Sequence, residues 1–154
     1  MRSPLAAEAA KMRQGAKNKL DEVTIHMANK IHIICVSGTR EKLQMAAMIA
    51  SVAAASGDKV AVFFSMNALL YFVKGRNDQP PLEGEFGTLM DKGVPPFKQL
   101  FAYAAELGDA ALLPCSMAVD LLKLGEGDLE PAFGPPTGLT RFLSDSEGAQ
   151  LLTF

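Results

Sequence analysis

The sequence predicts an α/β protein, a three-layer α/β/α sandwich around a mostly parallel sheet of about five strands. Three observations carry that expectation. Short apolar runs rich in β-branched residues, such as Ile31–Val36 and Val60–Phe64, are bounded by turn residues, as the buried strands of parallel sheets are. They alternate with helical stretches, the order that builds strand–helix–strand crossovers. One run, Ala110–Pro114, stops at a proline, and Cys115 follows it where a helix opens.

Each element has its own signal. Ser3-Pro4 looks like a cap and first helical turn, and Leu5, Ala9, Met12, Ala16, Leu20, Val23 and Met27 then recur as one apolar stripe. Residues 1–29 therefore read as an amphipathic helical arm that docks on the parent domain or a neighbouring subunit, and residues 30–154 as the α/β domain. Lys30–Val36 is the first strand, with His32 expected as a core or edge histidine. Ser37-Gly38-Thr39-Arg40 turns into a helix over Glu41–Ser56 that is apolar nearly all round, so its second side needs a partner and self-association is expected.

Gly57-Asp58 is a turn before the second strand, and Ser65-Met66-Asn67 caps a short helix over Ala68–Val73. Gly75–Pro96 is rich in Gly, Pro and charge, which suits a flap, binding loop or mobile insert. Pro96 opens a helix over Phe97–Leu107 with Leu100, Tyr103, Ala104 and Leu107 as its inner face, and Gly108 closes it. After the Cys115 helix, Gly125–Asp128 breaks the chain. A weak strand over Leu129–Phe133, a helix over Leu139–Glu147 and a closing strand over Ala149–Phe154 complete the order.

With 154 residues, one domain is expected. The net charge of −2 gives no electrostatic footprint for nucleic acid. Two cysteines without a Cys-x-x-Cys pair point to a reduced, cytoplasmic protein rather than a disulfide framework. His26 and His32 offer no zinc-ligand pattern, so neither a metal nor another cofactor is expected. No apolar run reaches membrane-spanning length and no secretory signal opens the chain.

Cys115 carries the chemistry. A thiol at a strand end beside a helix start meets free N–H groups and the positive end of the helix dipole, which favour the nucleophilic thiolate. The competing reading is a small buried hydrophobe. A phosphatase-type cradle would need an arginine where Leu121 stands, and there is no Gly-x-Ser-x-Gly elbow, triad partner, Gly-x-Gly-x-x-Gly or P-loop. What survives at Cys115 is thiol exchange or carriage of sulfane sulfur as a persulfide. Cys35 is a possible accessory, with a core role the stronger expectation. Two alternatives stand beside this. Ser37, Gly38 and Ser65 could hold an anionic or nucleotide-like molecule at the strand ends, or the chain could be a structural subunit.

Val36–Lys42 with its apolar helix, Gly57–Phe64, Gly93-Val94-Pro95 with the following helix, Cys115-Ser116-Met117-Ala118-Val119-Asp120 and the closing Gly148–Phe154 together resemble DsrE/DsrF/DsrH-like proteins. The likeness is to the DsrE-like sulfur-transfer branch, whose cysteine precedes a Met- and Asp-containing helix start, and it covers roughly Lys30–Phe154. It implies a flavodoxin-like fold and homo- or hetero-oligomers, often trimers or hexamers. It also implies a cysteine that accepts sulfur as a persulfide and passes it to a TusA-like or rhodanese-like protein. By position that cysteine is Cys115, with Ser116, Met117 and Asp120 shaping its pocket. Ser37, Gly38, Ser65 and Met66, after the ends of the first two strands, are read from the chain itself as further pocket or binding residues. The insert at Gly75–Pro96 is charged, which argues against a membrane role. Leu112 stands where a peroxiredoxin-like site would have threonine, and no resolving cysteine is evident.

Overall fold

Among the described residues four parallel strands set the order: β1 (Lys30–Cys35), β2 (Lys59–Phe64), β3 (Ala111–Pro114) and β4 (Gln150–Thr153). They lie in the order β3-β2-β1-β4. The structure, a computed structural model, describes residues 4–22 and 28–154. The register runs Ile33–Val62–Leu112 and Cys35–Phe64–Pro114 across the first three strands. Because side chains alternate along a strand, these six residues share one face, and His32, Ile34, Ala61, Phe63 and Leu113 share the other.

The first face carries the main core. Helix α2 (Arg40–Ala55) buries Leu43, Ala46, Ala47, Ala50, Ala53 and Ala54, a stripe of small residues that lets α5 (Phe97–Gly108) approach closely. Beneath α5, Phe64, Phe72, Phe101 and Phe133 form an aromatic cluster with centroids 4.7 to 5.7 Å apart. On the opposite face α7 (Leu139–Asp145) lays Phe142 against His32 and Phe63. Helices on both sides of a parallel sheet give the expected three-layer, flavodoxin-like sandwich.

Several expectations change in detail. The fifth strand is reduced to isolated bridges, Leu112–Phe133 among them. Pro131, Pro135 and Pro136 explain this, since proline has no N–H to give a ladder. The inner face of α5 is Phe97, Phe101 and Ala104, while Tyr103 and Leu107 are exposed. The aromatic cluster selects Phe97 and Phe101, one turn apart, over the aliphatic stripe. Gly108 does not supply the left-handed cap. Asp109 does, at φ 53°, and Gly108 instead sits where a Cβ would collide with the Ala54 methyl.

The long connection is not structureless. It contains α4 (Phe86–Leu89) and a 3-10 turn over Met90–Lys92, and it is strapped to the start of α2. Glu41 accepts the Glu83 and Gly84 N–H groups at 2.8 and 3.1 Å, Arg40 pairs with Asp91, and the Arg40 N–H donates to the Pro81 carbonyl. Helix α1 (Pro4–Glu22) forms as expected, and the side chains of residues 6–15 are exposed. Val23, His26 and Met27 lie outside the described residues.

Candidate functional site

Cys115 is held by its neighbours' backbones. Pro114 ends β3, and the Cys115 N–H then donates to the Phe64 carbonyl of β2 at 2.8 Å. On the other flank the Thr137 N–H donates to the Pro114 carbonyl and the Ser116 N–H to the Thr137 carbonyl. The extended backbone of Cys115 (φ −64°, ψ 124°) makes it the N-cap of α6 (Ser116–Leu121), whose first helical bond runs from the Val119 N–H to the Cys115 carbonyl. The residue therefore stands at the strand-to-helix junction. It is not openly accessible, however. Cys115 is only 5% exposed, because β3 is flanked by β2 on one side and by the Thr137 segment on the other.

A groove lies one helical turn away. The short helix α3 (Met66–Leu70) starts where β2 ends, and α6 starts where β3 ends. Along the two helices runs a groove of about 190 Å³ lined by Met66, Asn67, Leu70, Met117, Ala118, Leu121 and Leu122. No charged side chain lines it. Met66 is 60% exposed and Met117 51%. Met66 also holds a left-handed φ of 49°, a conformation that side-chain-bearing residues adopt at a cost. Across α6 a larger cleft of about 560 Å³ reaches Pro114 and Val119 and includes Lys74 and Glu130. Alternation along β3 turns Cys115 away from the Pro114 side, where this cleft lies.

The sequence-predicted residues divide into two groups. Ser65, which is buried, and Met66 stand where β2 passes into α3, and Ser116 and Met117 open α6 directly after Cys115. Ser37 and Gly38 stand behind α3. The N–H groups of Val36 and Ser37 both donate to the Phe154 carbonyl, at 2.9 and 3.2 Å, and a Cβ on Gly38 would meet the Tyr71 ring and the Asn67 carbonyl. Two of the N–H donors of that turn, those of Val36 and Ser37, are therefore already engaged. Asp120 is exposed near the end of α6 and does not line the groove.

Cys35 is 1% exposed on the main-core face, and burial pushes its thiol up to about 12. It lies two strands from Cys115, a backbone separation of roughly 10 Å, too far for a disulfide without rearrangement. Asn67, Leu70 and Leu121 are groove residues that the sequence reading did not single out. Their only signal is apolar or amide character at the starts and ends of two short helices.

His32 belongs elsewhere. It lies near the start of β1, 5% exposed, with Nδ1 2.7 Å from the Ser146 hydroxyl, which itself donates to the Phe142 carbonyl. The hydroxyl's proton is thus committed, so Nδ1 is the donor of that pair. Burial, and then Lys30, lower its pKa against the opposing effect of Asp145.

No family model matches the chain, and no curated protein matches it. Solved structures share its fold. The chain is similar to the YchN protein from E. coli, with a TM-score of 0.59 and 14% identity over 83% of this chain and 100% of that one. It is also similar to MTH1491 from Methanobacterium thermoautotrophicum, a protein of unknown function, with a TM-score of 0.56 and 8% identity over 82% and 99% of the two chains. At these identities the likeness is one of fold. Among the described residues no helix is long and apolar enough to cross a membrane.

Proposed function

We propose that this protein carries sulfane sulfur as a persulfide on Cys115 and hands it to an acceptor protein. The observation that supports this reading best is the position of Cys115, capping α6 at the end of β3 beside the groove of Met66 and Met117. The resemblance of the Cys115–Asp120 segment to DsrE-like proteins points the same way.

In the loading step the Cys115 thiolate attacks the outer sulfur of a donor R–S–SH. The new S–S bond forms as the donor's breaks, and the electron pair leaves on R–S⁻, which takes the proton that the thiol released. An acceptor thiolate then repeats the exchange on the outer sulfur of the Cys115 persulfide. Little else is required of the site, which accords with a thiol that has no triad partner. Its shielding also suits a carrier, since a persulfide kept from bulk solvent is protected from stray reactions.

The same reading makes the protein a cytoplasmic homo-oligomer, a trimer or hexamer, with residues 1–29 as a docking arm and a TusA-like or rhodanese-like partner as acceptor. For the alternative of an anionic ligand at Ser37 and Gly38, fewer donors are free, since the Val36 and Ser37 N–H groups already donate to Phe154. Incubation with a sulfane-sulfur donor, followed by intact mass measurement, is expected to add sulfur to the wild type and none to Cys115→Ser. Equal loading of the two would remove the proposal.

A further inference from the structure

We infer that the outer edge of β4 docks a second copy of this chain, the two β4 strands pairing antiparallel about a two-fold axis and joining the two sheets into one. This adds a surface to the oligomer proposed above and does not depend on the chemistry at Cys115.

The sheet ends at β4, which pairs with β1 on one side and, among the described residues, with no strand on the other. The Phe154 N–H donates to the Ile34 carbonyl and the Phe154 carbonyl accepts the Val36 N–H, both at 2.9 Å. Successive residues of a strand turn their backbone groups to opposite edges, so Gln150 and Leu152 face β1 as Phe154 does. Leu151 and Thr153 then point their N–H and C=O groups outward. A row of unpaired groups of this kind is a template for another strand, and native proteins blunt such edges with charge, proline or a bulge. Gln150-Leu151-Leu152-Thr153 carries neither a charge nor a proline, its register with β1 is unbroken, and Leu151 and Thr153 are exposed.

The geometry of the outward groups selects the occupant. With Leu151 opposite Thr153 and Leu152 on the axis, each Leu151 and Thr153 pair exchanges both bonds, and every outward N–H and C=O of the two copies finds a partner. Sliding the register so that Leu151 faces itself leaves the Thr153 carbonyl without a donor, because the Ala149 N–H already donates to the Ser146 carbonyl. Charge agrees with the antiparallel sense. Lys30 and Glu147 stand together at the first end of β4, the Lys30 ammonium donating to the Glu147 carbonyl. Antiparallel pairing sends these residues of the two copies to opposite ends of the seam, whereas a parallel neighbour would set like against like. The two Leu152 side chains meet at the axis, on the face that Ile33 shares. A two-fold contact is isologous, so it fits a hexamer built from two trimers and excludes a lone trimer.

The test reads molar mass by light scattering, and amide exchange at Leu151 and Thr153, in the full chain. Wild type is expected to contain an even number of copies. Its two amides should be protected at least roughly tenfold more than in Leu151→Lys/Thr153→Lys, which sets like charges opposite one another across the seam. That variant is expected at half the wild-type mass. Thr153→Pro should also halve the mass, since an edge strand tolerates proline where the missing N–H would face outward. Both positions are exposed, and an unchanged thermal melt with retained protection of the Leu152 amide shows that the fold is kept. An odd-numbered wild type, a wild type that stays monomeric, or full mass in either folded variant overturns the inference. So does protection at Leu151 and Thr153 that persists in the half-mass species, which would show another segment covering the edge. None of these outcomes bears on sulfur loading, and a failure of Cys115 to load would remove the carrier reading while leaving this edge in place.

Discussion

The two cysteines are both buried and two strands apart, Cys35 within β1 and Cys115 where β3 gives way to α6. Cys35 points into the main core, where burial pushes its thiol up to about 12, so it stays protonated and unreactive near neutral pH. Alkylation of the folded protein at pH 8, mapped by digestion and mass spectrometry, is expected to label Cys115 and spare Cys35. Equal labelling would contradict this division. Cys35→Ser should cost about 1–3 kcal/mol, because it buries a hydroxyl in an apolar site, while leaving sulfur loading intact. His32 gives a pH dependence of definite sign. Its folded pKa is lowered by burial and by Lys30, so the unfolded chain protonates first as pH drops. The stability it contributes is present above the unfolded value of about 6.5 and is lost as pH falls from there towards the folded pKa. Urea midpoints at pH 7.5 and 5.5 should show a decline that His32→Gln reduces. The position of Cys115 between strand and helix was legible from Pro114 and the apolar run before it. Its burial was not, because the Thr137 segment that flanks it lies more than twenty residues further along.

Among the elements, the α2–α5 pair is the most closely fitted. Gly108 lets the end of α5 pass over Ala54, and Gly108→Ala should destabilise the fold by about 1–3 kcal/mol through overpacking, seen as a lowered thermal midpoint. No loss would mean that the helices separate freely. The strap over the start of α2 depends on Glu41. Hydrogen bonds from backbone N–H groups, that of Glu83 foremost, hold its carboxyl below the usual range. Glu41→Gln is expected to speed amide exchange at Glu83 and Gly84, with loading at Cys115 unchanged. The boundaries of β1, β2 and the helix after Pro96 could be read to within a residue or two from apolar runs and breakers. Helix α4 could not, because four helical residues among Gly, Pro and charges leave no period to detect. The lost fifth strand shows the converse: the apolar residues of Leu129–Phe133 promised a ladder that the neighbouring prolines prevent.

At the scale of the whole molecule, one main core and one thinner layer leave apolar surface uncovered. Met45, Met48 and Val52 line the outer side of α2, and Phe86 and Leu89 project from the strap at its start. Exposed apolar surface of this kind marks an interaction face more often than a bare one. Light scattering is expected to report an oligomer that Met48→Lys/Val52→Lys weakens, and a wild-type monomer at high concentration would contradict that. The sequence by itself determined the alternation of strand and helix, the parallel sheet, and the placing of a thiol at a strand end. These follow from local patterns of apolar, β-branched and turn-forming residues. Only the tertiary structure decided that Cys115 is shielded, that Met66 and Met117 face a common groove, and that Phe154 closes the turn at Ser37. Each of those depends on contacts between residues far apart in the chain, and such contacts leave no periodic mark on the segments that make them.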